Sequence, residues 1–131
     1  MFVLQLIVHP ALFRQQLMTA VPNGAGQKWH SDNRARGLTV IVPLVDFTAS
    51  NGATQVLVGS HNKTWNLVAQ RGAQVVEAPV GSLAAYDSRM YHRGLGNGTK
   101  EARVERCGIR ARTYSYSLQE HSVQLFRTRS A

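Results

Sequence analysis

Leu38-Thr39-Val40-Ile41-Val42-Pro43-Leu44-Val45 is a β-branched, apolar run bounded by polar and turn-forming residues. Its length and composition suit a buried strand, and Pro43 is tolerated near a strand end. Outward from it, short apolar runs alternate with turns. On the C-terminal side, Ser50-Asn51-Gly52 reads as a hairpin turn, residues 54–58 as a strand closed by Gly59-Ser60-His61, and residues 74–78 as another strand. Pro79-Val80-Gly81 turns the chain into a strand over residues 83–86, which delivers Asp87 to His92. Gly94 to Gly98 is a glycine-rich loop. On the N-terminal side, Pro22-Asn23-Gly24-Ala25-Gly26 is a loop and residues 17–21 a strand. Residues 12–17 form a helical turn or lead into that strand, and residues 2–8 are a first apolar run. Residues 62–70 read as loop or short helix, and residues 108–116 as one more strand. This punctuation predicts a mostly β domain.

With 131 residues the chain fits one small domain, and a hydrophobic fraction of 44% is enough for a modest core. A single cysteine, Cys107, excludes an internal disulfide and a cysteine-rich zinc site, and is compatible with a reducing compartment. The net charge of +8 raises the question of nucleic acid. The excess is scattered over Arg93, Lys100, Arg103, Arg106, Arg110, Arg112, Arg127 and Arg129, with no dense run and no interleaved aromatics, so it predicts a solvated basic tail and no specific nucleic acid. The apolar start lacks a basic leader region and a small-residue cleavage site, and no stretch reaches membrane-spanning length. A cytoplasmic location is the expectation.

His30-Ser31-Asp32 with a distant His92 is the constellation that carries chemistry. Ligands two residues apart on a strand share a face, so an imidazole and a carboxylate can converge on one ion. A third ligand from a later strand completes one triangular face and leaves the opposite positions open, the two-histidine-one-carboxylate arrangement of non-haem iron(II) oxygenases. Taken alone, His-x-Asp is common, and a surface histidine beside a turn aspartate is the plainer reading. Arg103 follows His92 at a spacing suited to gripping the far carboxylate of a dicarboxylate cosubstrate through a two-pronged ion pair, with an exposed arginine on a basic tail as the plainer alternative. Trp29 reads as a packing residue, His61 as a loop-closing one, and Asp46 and Asp87 as strand-end carboxylates.

Gln27-Lys28-Trp29-His30-Ser31-Asp32, then Asn51-Gly52 with Gly59-Ser60-His61, then Gly81, and then His92 with Asn97 and Arg103, together resemble the phytanoyl-CoA dioxygenase family over residues 17–103. The resemblance implies a double-stranded β-helix, a cupin-like jelly-roll, here incomplete at its N-terminus. It implies an iron(II) ion held by His30, Asp32 and His92, 2-oxoglutarate anchored by Arg103, and Gln27 near the cosubstrate. The expected activity is hydroxylation of a small organic substrate with molecular oxygen.

The chain departs from the family pattern in three places. It begins shortly before the first ligand segment, Ser82 stands where an aspartate is usual, and an apolar closing strand is replaced after Arg103 by the polar, arginine-rich Val104-Glu105-Arg106-Cys107-Gly108-Ile109-Arg110-Ala111-Arg112. The reading is therefore one partial oxygenase domain over residues 1–131, with a core at 17–103 and a divergent basic segment at 104–131. A catalytically inactive, truncated member of the family and a cupin-type metal-binding module are the alternatives.

Overall fold

In the computed structural model, residues 13–62, 72–111 and 124–127 are described, and all the regular structure among them is β apart from one 3-10 turn at Ser60–Asn62. The strands are β1 (Phe13–Ala20), β2 (Gly37–Pro43), β3 (Thr54–Leu57), β4 (Ala73–Val76), β5 (Ser82–Asp87), β6 (His92–Gly94), β7 (Arg103–Ala111) and β8 (Gln124–Arg127). They form a five-stranded sheet in the order β1-β7-β2-β5-β8 and a three-stranded sheet in the order β4-β3-β6. Every pairing is antiparallel. This is the mostly β, jelly-roll-like architecture expected from the sequence.

The run that opened the reading is a strand near the middle of the larger sheet, between β7 and β5. Its β-branched residues suit that place: Thr39, Val40 and Ile41 are all buried. Pro43 ends the strand, where a missing N–H costs least. Ile41, Ala84 and Tyr86 from the larger sheet meet Val56 and Val76 from the smaller one, with Phe47, Ala53, Ala78 and Met90 completing the core. Phe47 and Ala78 exchange backbone hydrogen bonds of 2.7 and 3.2 Å outside the named strands. Gly52 carries a positive φ of 91°, and a Cβ there would stand 2.8 Å from the Leu95 carbonyl oxygen, so the turn at Asn51-Gly52 excludes a side chain on two grounds.

Strand β1 runs from Phe13 to Ala20, which takes the second of the two readings of residues 12–17, the lead into a strand. Three elements differ from the sequence expectation. Strand β6, at His92–Gly94, is a separate strand that the sequence did not mark. Strand β7 begins at Arg103, five positions before the expected start at 108, and lies between β1 and β2. The backbone of Arg103, Arg106 and Arg110 thus belongs to an inner strand of the sheet. Strand β8 was not anticipated and forms the far edge beside β5. Residues 2–8, 63–70 and 112–116, which fall in the expected apolar run, the expected loop or short helix and the expected last strand, lie outside the described residues.

Candidate metal centre

His30 and His92 face each other across an isolated antiparallel bridge. The His30 N–H donates to the His92 carbonyl at 3.0 Å, and the His92 N–H donates to the His30 carbonyl at 2.8 Å. His92 also opens β6, which pairs with β3. The bridge therefore adds the His30 segment to the smaller sheet's β6 edge without a further regular strand, and the two imidazoles share a face, with ring centroids 4.4 Å apart. Asp32, two residues on, comes to the same point. One donor atom from each of His30, Asp32 and His92 lies within 4.8 Å of the other two.

The electrostatics of the cluster suit a cation. Asp32 Oδ1 is 3.4 Å from His92 Nε2, with both side chains mostly shielded from solvent. That distance is long for a hydrogen bond, and close to the spacing of about 3 Å between neighbouring ligands on one metal. The other oxygen, Oδ2, accepts a 2.6 Å hydrogen bond from Thr39 Oγ1. Burial pushes the Asp32 carboxyl up, but the neighbouring His92 and His30 rings, in their protonated forms, and the Thr39 hydroxyl together outweigh it. They hold the carboxyl below its ordinary value of 3.8. Asp32 is thus an anion with one oxygen committed and one facing the histidines.

Each imidazole is oriented by a carbonyl two residues earlier. His30 Nδ1 is 2.8 Å from the Lys28 carbonyl oxygen, and His92 Nδ1 is 3.0 Å from that of Met90. A carbonyl only accepts, so each Nδ1 carries the proton of that bond, and each ring in its neutral form keeps its lone pair on Nε2. Two Nε2 lone pairs and one carboxylate oxygen form a donor set suited to a divalent ion of the first transition row. On the flanking positions, the Arg93 guanidinium lies 4.6 Å over the Trp29 ring, and Arg93 Nε donates to Gln55 Oε1 at 2.9 Å. Trp29 packs beside the site, as its sequence context suggested.

The remaining expected residues are placed as follows. Gln27 Oε1 accepts from the Gly94 N–H at 2.9 Å. Arg103 starts β7, in register with Ala20 of β1. A hollow of about 100 Å³ lies against the same part of β1, lined by Met18, Ala20, Gln27 and Gly94 among others. Asp46 Oδ1 accepts from the Val80 N–H at 2.7 Å, a strand-end role. Ser60 Oγ accepts from the Tyr91 N–H at 2.8 Å, and His61 Nδ1 has no hydrogen-bond partner among the described residues. Sequence reasoning missed Thr39 and the carbonyls of Lys28 and Met90. A threonine in a β-branched run signals only a strand, and carbonyl orientation has no signature in residue type.

The sequence profile of the phytanoyl-CoA dioxygenase family (PhyH) matches residues 3–104. The chain belongs to the phytanoyl-CoA dioxygenase family. Solved structures share its fold. EvdO2 from Micromonospora carbonacea var. aurantiaca, complexed with 2-oxoglutarate, aligns with a TM-score of 0.66 at 19% identity over 80% of this chain and 54% of its own. EctD from S. alaskensis, with 2-oxoglutarate and 5-hydroxyectoine, aligns with a TM-score of 0.66 at 23% identity over 76% and 44%. The non-heme monooxygenase ThoJ, as a nickel complex, aligns with a TM-score of 0.65 at 22% identity over 88% and 50%. The chain spans about half the length of these structures. Among the described residues no helix is long and apolar enough to cross a membrane.

Proposed function

We propose that this member of the phytanoyl-CoA dioxygenase family is a non-haem iron(II), 2-oxoglutarate-dependent dioxygenase that hydroxylates a small organic substrate with molecular oxygen. The observation that carries the reading is the convergence of His30, Asp32 and His92 donor atoms within 4.8 Å of one another. The donor set fits the ion: two neutral imidazoles with their Nδ1 protons engaged, and one carboxylate oxygen left open. A ferrous ion held there supplies the chemistry that couples oxidative decarboxylation of 2-oxoglutarate to hydroxylation of a C–H bond.

The chain's own residues do the rest. His30 and His92 present Nε2 lone pairs fixed by their backbone bonds, and Asp32 offsets part of the ion's charge through Oδ1. Arg103 is the proposed anchor for the far carboxylate of 2-oxoglutarate. Its support is the register that sets it across from Ala20, a residue lining the hollow beside Gln27 and Gly94. Gln27 borders that hollow with its amide oxygen already committed to Gly94, which leaves its amide nitrogen to meet a cosubstrate. A cytoplasmic location goes with this reading.

The test is iron-dependent formation of succinate from 2-oxoglutarate by the purified chain. Wild type should produce succinate, and His92→Ala should abolish it while sharply weakening iron binding. Undiminished decarboxylation by His92→Ala would defeat the assignment. Iron binding without succinate formation would identify an inactive member of the family. Iron binding with no 2-oxoglutarate binding, in wild type as in Arg103→Ala, would identify a metal-binding module instead.

A further inference from the structure

We propose that Gln27 is a positioning residue for the metal site: its side-chain amide stands in for the Lys28 carbonyl in a backbone ladder and so releases that carbonyl to orient His30. The inference deepens the proposed function, since it takes His30 as a metal ligand. It begins with the ladder. In a regular antiparallel pair, bonded residue pairs recur every second residue along each chain. His30 and His92 exchange both of their bonds, so the next bonded pair outward would be Lys28 with Gly94. The structure has a different arrangement. The Gln27 N–H donates to the Gly94 carbonyl at 2.8 Å, and the Gly94 N–H donates to Gln27 Oε1 at 2.9 Å.

Three steps along the chain from His30 to Gln27 therefore face two from His92 to Gly94, which is a bulge of one residue. Lys28 is the residue displaced, and its carbonyl turns to His30 Nδ1 at 2.8 Å. A regular ladder would spend the same carbonyl on the Gly94 N–H, a group at a buried position that requires an acceptor. Gln27 Oε1 meets that requirement. His92 needs no such device, because the Met90 carbonyl that holds it belongs to a turn. Gly94 is the matching half of the arrangement: a Cβ at 94 would lie 3.2 Å from Gln27 Oε1, tighter than ordinary contact.

The experiment reads the His30 tautomer directly. Nitrogen-15 spectra of the metal-free protein, at a pH where both rings are neutral, should show the proton on Nδ1 of both His30 and His92. Gln27→Ala should lose that preference at His30 and keep it at His92, and should weaken manganese(II) binding by roughly tenfold or more. Gln27→Glu, which keeps an acceptor at the same reach, should restore both. If Gln27→Ala fails to fold, Gln27→Asn, one methylene too short to reach the Gly94 N–H, takes its place with the same expectation. An unchanged His30 tautomer would overturn the proposal. So would equal changes at His92, or an intact metal affinity with a raised KM for 2-oxoglutarate. A wild-type chain that binds no divalent metal would refute the metal-site reading instead, and the tautomer comparison on metal-free protein would still decide the role of Gln27.

Discussion

The two oxygens of Asp32 are used differently. Oδ2 takes the Thr39 hydroxyl at 2.6 Å while Oδ1 faces His92. Thr39 is fully buried, so its hydroxyl has no water to replace the carboxylate. Thr39→Val keeps the shape and removes a charge-assisted hydrogen bond, an interaction of about 1.5–3 kcal/mol. The bond favours the ionised carboxyl, so its loss moves Asp32 upward, and protons compete with metal from a higher pH. Manganese(II) affinity should fall roughly 10–100-fold, with a larger deficit at pH 5.5 than at pH 7.5, as read by titration calorimetry. An affinity equal to wild type at both pH values would show that Thr39 is only a packing residue. The candidate ligands were legible because imidazole and carboxylate declare their chemistry by type. Thr39 was not, because its role exists only once β2 is laid beside Asp32.

At the scale of the element, the turn from β5 to β6 decides where His92 falls. Asp87 closes it: Oδ1 accepts from both the backbone N–H and Nε of Arg89 at 2.9 Å, and Oδ2 accepts from Arg89 Nη2 at 2.6 Å. The Met90 N–H donates to the Asp87 carbonyl at 2.8 Å. Burial pushes the Asp87 carboxyl up, but the Arg89 hydrogen bonds and charge, with a smaller contribution from His61, hold it below its ordinary 3.8. A carboxyl lowered in the folded state stabilises the fold above its unfolded pKa. That contribution disappears as pH falls from about 3.8 through the lower folded value. Asp87→Asn should therefore cost about 1–2 kcal/mol near neutrality and flatten the acid limb of stability between pH 5 and pH 2, measured by urea unfolding. Parallel acid limbs for variant and wild type would remove Asp87 from this role. Strands β2 to β5 were readable because each is a short apolar run between turn residues. Strand β6, only His92-Arg93-Gly94, carries no such pattern, and its extended form comes from pairing with β3. Only the last part of β7 was expected as a strand, because charge dominates its first residues, and its partners in β1 lie far back in the chain.

Across the described residues, one core joins the two sheets, and Phe47 is its bulkiest side chain after Tyr86. Phe47 lies in the connection between β2 and β3 and is 2% exposed. Phe47→Ala should cost about 3–5 kcal/mol from lost transfer energy and a residual cavity. Against a typical total of 5–15 kcal/mol, that is a large share. The urea midpoint should fall accordingly, and metal affinity should weaken with it, since His30, Asp32 and His92 are held only by the assembled sheets. A midpoint within error of wild type would mean that the two sheets do not depend on this shared core.

The residue order alone determined the fold class, the family and the identity of the candidate ligands, because strand punctuation and ligand chemistry are local properties of residue type and spacing. Tertiary structure decided which carbonyls hold the imidazoles, which oxygen of Asp32 is left open, and that an arginine-rich segment lies inside a sheet. Those outcomes depend on hydrogen bonds between residues distant in sequence, and their partners are chosen only when the sheets pair.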